Sequence, residues 1–335
     1  MNTINMSSCH CQPEYFLLMG IPGLENHHFL LSIPFCAMYL LALVGNNLLI
    51  FIIATNESLH QPMYFFLTIL AVTDLFLCST TVPKTLTIFW FGSHEISFND
   101  CLTQVFWIHF IFAVESAILL IMACDRFFAI CKPLTYSATF TPSFIRKLLI
   151  IALVRGICII TPFVFLLKRL PFHKSNIISH TYCEHMGVAR LATANIRINV
   201  VYGLIIAFGS TGIDLILIAV SYVVIIRTVV RLPASEARYK AFNTCVSHIC
   251  VILMFYLPAF FSFIAHRIGH KHIPPRVHIM LANLYVLVPP MMNPLIYGVK
   301  TKEIRQKIIM LFSLFSYIPL IYLKVPTISC LHSPL

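Results

Sequence analysis

An all-α membrane protein, a bundle of seven crossing helices, is what this sequence predicts. Three observations carry the prediction. Of the 335 residues, 59% are hydrophobic and 10% charged, whereas soluble domains carry about 25% charged residues. Seven apolar runs, each near or above the ~20 residues that a crossing needs, fill most of the chain. Basic residues gather at particular breaks between those runs, as a lipid-embedded chain requires. A closed barrel also satisfies its backbone in lipid, but its strands alternate over about ten residues. These runs are longer and uniformly apolar.

The elements follow in order. Residues 1–28 contain no Lys or Arg and lack the basic start and cleavable core of a signal peptide. The first run is therefore expected to act as an uncleaved anchor. The runs cover 29–54, 63–89, 102–124, 145–167, 199–226, 243–265 and 277–299. Arg227, Arg231, Arg238 and Lys240 lie between the fifth and sixth, and Lys300, Lys302, Arg305 and Lys307 after the seventh. Basic residues stay cytoplasmic, which puts the N-terminus outside and the C-terminus inside. The 168–198 loop is basic too (Lys168, Arg169, Lys174, Arg190, Arg197) yet falls outside; long loops obey the rule loosely. Residues 300–335 read as a cytoplasmic tail with an amphipathic helix. Its apolar stretch is too short to span and is expected to lie on the membrane. The net charge of +11 speaks to topology and anionic lipid, not to nucleic acid.

Asn5-Met6-Ser7 is a glycosylation triplet on the expected outer side, so Asn5 is the expected glycan site. Most of the twelve cysteines lie within the runs, where a thiol is a small hydrophobe. Cys101 opens the third run and Cys183 lies in the long outer loop; in an oxidising compartment these two are expected to pair and pin a lid across the bundle. Cys9-His10-Cys11 lacks a matching ligand pair and is a weak metal signal. His270 and His272 are explained by a polar loop.

The stretch MACDRFFAICKPLTY at 122–136 resembles the motif that closes the third helix of olfactory receptors, a group of rhodopsin-like G-protein-coupled receptors. GNNLLI at 45–50, SLHQPMYFFL at 58–67, KAFNTCVSHI at 240–249 and NPLIYG at 293–298 agree. GIPGLE, SIPFC, AVESA and the long outer loop are similar to the class I, fish-like subgroup, the 51 and 52 families. Two departures stand out. Cys124 and Phe127 replace tyrosines around Asp125-Arg126. His173 and Thr193 stand where relatives often have two further cysteines, so a second bridge is not expected.

The resemblance implies a receptor for small volatile molecules in the plasma membrane of olfactory cilia, coupled to a stimulatory G protein of olfactory type that raises cAMP. It implies that Asp125 holds Arg126 at rest, and that Arg126 is freed toward the G protein with Tyr222 and Tyr297 closing around it. Lys240 and Asn293 complete the expected coupling set. Asp74 on the second run and Glu115 on the third lie at matching depths of about 18 and 16 Å. Two such carboxylates cannot both ionise unpaired. They either share a proton or hold a cation, sodium as in many rhodopsin-like receptors; alternatively two protonated acids bond Asn46 and Asn293. No other cofactor is expected. Asp214 and Arg155 have no assigned role, an interhelical hydrogen bond being the default.

Ile108, His109, Phe112, Tyr256, Ala259, Phe260, Phe263 and Arg267 are the expected ligand-lining residues. His109 is about 12 Å below the outer surface, and Phe112 shares its face. An Arg fork suits a carboxylate, so Arg267 at the outer end of the sixth run points to short aliphatic acids. Phe263 and Met186, where polar groups would tighten an acid site, leave alcohols, aldehydes and ketones open. An enzyme would show a pattern such as HExxH or GxSxG, and none is present. A transporter would repeat broken polar helices in two halves. An amine receptor would place an acid near position 108, where this chain has Ile108.

Overall fold

The computed structural model describes residues 12–173, 175–267 and 274–322. Its long helices are α1 (His28–Thr55), α2 (Pro62–Phe91), α3 (Phe98–Cys131) and α5 (Pro142–Lys168), with the short α4 (Pro133–Thr139) between the last two. After the small α6 (His185–Ala189), the fifth crossing is built from α7 (Arg197–Leu204), a π-turn (Ile205–Thr211) and α8 (Gly212–Val230). α9 (Ser235–Arg267), α10 (Pro275–Lys300) and α11 (Lys302–Tyr322) complete the order. Among the described residues seven helical segments are long and apolar enough to cross a membrane. Asn5, Cys9-His10-Cys11, His270 and His272 lie outside the described residues, as do the side chains of Lys240, Phe263 and Arg267.

Local chemistry sets the helix ends. Pro62 and Pro142 occupy first-turn positions of α2 and α5, where a missing N–H costs nothing. Ser97 caps α3 by accepting from Asp100 N at 3.1 Å, and Thr141 caps α5 through Phe144 N. The Lys132-Pro133 step stops α3, since the residue before proline disfavours helical backbone. Gly92 ends α2 with φ 63°, a left-handed conformation that glycine adopts freely.

α3 is the most buried crossing and α5 among the least. Leu40 and Val44 on α1, Ile150 and Val154 on α5, and Ile216 and Val220 on α8 point outward, as lipid favours. The GNNLLI motif has a packing reason. A Cβ on Gly45 would sit 2.8 Å from Pro294 on α10. The bare glycine lets α1 approach closely enough for Asn46 Nδ2 to donate to Pro290 O at 2.8 Å.

At the end bearing Cys101, a three-stranded sheet in the order β2-β1-β3 caps the bundle. β1 (Tyr15–Leu18) pairs antiparallel with β2 (Glu95–Ser97) and parallel with β3 (Ile177–Ile178). The sequence predicts the seven-helix bundle; beside it, Tyr15–Leu18 forms the central strand of this small sheet. Phe16 and Leu18 alternate inward and are fully buried. Cys101 and Cys183 are bonded, which fixes the long loop over the helix ends. Near His173, where relatives can carry a second bridge, Thr193 N and Oγ1 donate to Pro171 O at 3.1 and 3.3 Å. Hydrogen bonds hold that edge.

At the opposite end α11 leaves α10 with Ile304 buried and Ile309 and Met310 exposed. One face packs and one is open. α11 is not among the membrane-crossing segments of the described residues.

Candidate ligand-binding site and the polar network beneath it

Under the Cys183 loop lies a cavity of about 110 Å³, smaller than the ~300–1,000 Å³ of drug-sized sites. α3 supplies Ile108, His109 and Phe112, and α9 supplies Ala259, Phe260 and Ser262. The loop adds Tyr182 and Glu184, α10 adds Tyr285, and the π-turn adds Ala207 and Thr211. Five of the residues expected from sequence therefore meet here: Ile108, His109, Phe112, Ala259 and Phe260. Tyr182, Glu184, Ala207 and Thr211 were not legible, because their entry depends on how a loop and a π-turn fold; Ser262 and Tyr285 were not legible, because theirs depends on the rotation of α9 and α10 about their axes.

The loop is held from below at several points. Cys183 N donates to Gln104 Oε1 at 2.7 Å, Thr181 Oγ1 to Asn283 Oδ1 at 2.8 Å and Tyr182 Oη to Ala282 O at 3.2 Å. Burial, with the Glu184 carboxylate adding to it, pushes the Tyr182 phenol above its ordinary range, so it remains a donor. His109 Nδ1 meets Val105 O at 2.8 Å and its ring lies 4.8 Å from Phe163. Phe163 in turn stacks on His185. Met186 is buried beside it.

Tyr256 departs from the expectation. It does not line the cavity; it is buried one step deeper, stacked on Phe260 with centroids 6.0 Å apart. Its hydroxyl is 2.8 Å from Ser116 Oγ, and Ser116 Oγ donates to Asp214 Oδ2 at 2.6 Å. Ser116 has one proton to give, so Tyr256 is the donor in its own bond. Arg155 closes the network as a fork, Nη1 to Asp214 Oδ1 at 2.8 Å and Nη2 to Oδ2 at 2.7 Å, with Nη2 also donating to Ala113 O at 3.1 Å. The two charges that sequence left unassigned are thus a bidentate pair tying α5, α8, α3 and α9. Such pairing is what an ionisable group inside a membrane needs.

Deeper still, Asp74 is fully buried and accepts from Asn293 Nδ2 at 2.9 Å. Glu115, also buried, lies within electrostatic reach of it. Asn46 is not a partner of either acid; it donates to Ala42 O and Pro290 O, which corrects half of the all-hydrogen-bonded alternative. Asp74 Oδ1, Glu115 Oε1, Asn46 Oδ1 and Asn293 Oδ1 are buried without a protein partner. Carboxylate and amide oxygens are the kind of donor that a hard cation takes.

At the end opposite the disulfide, Arg126 is paired to Asp125 through both Nε and Nη2. Tyr136 on α4 donates to the other Asp125 oxygen at 2.7 Å. Burial, then this hydrogen bond, raises the Tyr136 phenol well above its usual range, so the donor persists. Tyr222 is hydrogen-bonded to His248 on α9, and Tyr297 is fully buried with its hydroxyl unpartnered. Neither contacts Arg126 by hydrogen bond among the described residues. Leu134 on α4, two residues before Tyr136, is 96% exposed, the most exposed large apolar side chain described.

A seven-helix bundle with a lidded cavity at one end and a charge-held arginine at the other defines a membrane receptor of the rhodopsin type. Squid rhodopsin has this fold: the two superpose with a TM-score of 0.72 at 16% identity, over 88% of this chain and 87% of that one. Residues 35–314 match the olfactory receptor family. The human olfactory receptors 52D1 and 52B2 are each 54% identical, over 94% and 91% of this chain and 98% and 94% of their own lengths. Human olfactory receptor 52H1 is 53% identical over 93% of this chain and 99% of its own. The chain belongs to the olfactory receptor family.

Proposed function

We propose that this chain is an odorant receptor whose cavity takes a small apolar molecule with one polar head and whose far end engages a stimulatory G protein of olfactory type, raising cAMP. The observation that carries the reading is the position of the cavity directly on α9. Phe260 lines it and stacks on Tyr256, while Phe112 lines it and stacks on Phe255 at 4.7 Å. A ligand that packs better against one placement of these rings shifts the population toward that placement. Pro258 lies between Tyr256 and Phe260 within α9 and removes a helical hydrogen bond, a natural point for the lower half to swing. His248 lies on that lower half, joined to Tyr222. Its movement would open the end where Asp125 holds Arg126 and where Leu134 offers an apolar knob to a partner protein. In this reading the disulfide end faces outside and the Arg126 end the cytoplasm, as the basic loops suggest.

Short aliphatic acids are the class that Arg267 would select, its fork matching a carboxylate. The test is a cAMP assay on cells displaying the chain, run against short acids, alcohols and ketones. Ala259→Phe, which fills the cavity, is expected to abolish responses at unchanged surface level; unchanged potency would remove the cavity as the odorant site. Arg267→Ala is expected to weaken acids alone by about tenfold or more, as for a lost hydrogen bond to a charged group. Equal weakening of alcohols, or none of acids, would end the acid assignment.

Asp74 and Glu115 would hold a sodium ion, with Asn46 and Asn293 offering amide oxygens; when bound it supplies countercharge that lets both acids ionise. Asp74→Asn is expected to erase any dependence of agonist affinity on sodium, measured against potassium at constant ionic strength. A sodium dependence that survives the substitution would favour a shared proton instead.

A further inference from the structure

A second cavity, of about 850 Å³, opens at the Arg126 end between the starts of α2 and α5. Ile53, Phe65, Phe140 and Ile145 give it apolar walls, and Arg146 and His60 stand on its rim. Phe65 is 45% exposed, so the groove opens onto the flank of the bundle that faces lipid rather than onto its interior. Arg146 is exposed and makes no hydrogen bond or ion pair among the described residues. His60 Nε2 meets Ile53 O at 3.1 Å. α2 and α5 both begin at this rim with no acid in their first turns, so their positive ends reinforce Arg146. Glu57, exposed in the turn before α2, is the acid nearest in sequence.

We infer that this groove binds one anionic phospholipid, its phosphate on Arg146 and an acyl chain along Ile53, Phe65 and Phe140. A long apolar trough ending in a fixed cation, at the level where two crossings start, matches a molecule with a tail and an anionic head. The groove also reaches the charge pair. Phe140 stacks on Tyr136 with centroids 5.3 Å apart, and Tyr136 donates to Asp125. An occupied groove therefore steadies α4 and the hold on Arg126. Nothing in this inference depends on the odorant or on a G protein.

The experiment is native mass spectrometry of the purified full chain with phosphatidylcholine, phosphatidylserine and a phosphoinositide, and with the soluble inositol phosphate headgroup. One retained anionic lipid is expected, favoured over phosphatidylcholine by about fivefold, the ratio that ~1 kcal/mol per basic side chain at a membrane surface gives. Arg146→Gln is expected to erase the preference and Ala54→Trp, which fills the trough, to erase retention; Lys147→Gln, outside the groove, leaves both intact. Equal retention of all lipids by the wild type overturns the site. So does a preference that survives Arg146→Gln or falls equally with Lys147→Gln, and so does headgroup binding as tight as the whole lipid. Thermal melting of each variant separates these outcomes from misfolding.

Discussion

Arg155→Leu is expected to destabilise the bundle by about 3–5 kcal/mol, the cost of leaving a buried charge without its partner. Asp214 is 2% exposed and keeps both oxygens on Arg155; with the fork removed, Ser116 alone remains to satisfy it. Surface display and the melting temperature in detergent should both fall. The double variant Arg155→Leu with Asp214→Leu is expected to recover most of the loss, because an apolar pair of similar volume is often as stable as a buried ion pair. If the single variant melts like wild type, or the double is no better than the single, the pair is not the brace described. The double variant has a second use. It keeps Ser116–Tyr256 but frees α8 from α5, so a stable receptor that no longer responds would place these charges in the coupling path as well as in the scaffold.

Cys183→Ser is expected to cost about 2–5 kcal/mol, the second large effect. The bridge closes a loop with a sequence separation of 82, and long closed loops lose the most unfolded-state entropy. It also anchors Tyr182 and Glu184 over the cavity, so the response should fall further than stability alone explains. Cys101→Ser should match it, and the double substitution should be no worse than either single one. Additive losses would show that the two cysteines act separately and that the bridge does not hold the lid.

The crossings were legible because lipid imposes a coarse rule: an apolar run of the right length must be a helix. The expected depths of Asp74, Glu115 and His109 come from counting 1.5 Å per residue. Rotation about a helix axis does not follow from counting. Tyr256 sits one position from Phe255 and only three from Ala259, yet it turns to Ser116 while Ala259 reaches the cavity. Arg155 and Asp214 were visible as charges but not as partners, since no sequence rule says which faces of α5 and α8 meet. β1 is four residues long, and its strand character comes from partners about 80 residues away on one ladder and about 160 on the other, beyond local propensity. Tyr136 was quoted within a motif without its role, because α4 leaves the axis of α3 at Pro133 and folds back onto Asp125.

The π-turn at Ile205–Thr211 sets the fifth crossing slightly out of helical phase with itself. Ala207 and Thr211 within it serve the cavity, and Asp214 serves Arg155 just beyond. A π-turn accommodates extra chain that a regular α-helix would not, and one residue of helix is worth about 100° of rotation. Deleting a single residue between 205 and 211 would leave a tidier helix and a worse receptor: everything from Gly212 onward would swing by about that angle, carrying Asp214 away from its arginine. Insertions and deletions in this short window should therefore be far less tolerated than substitutions.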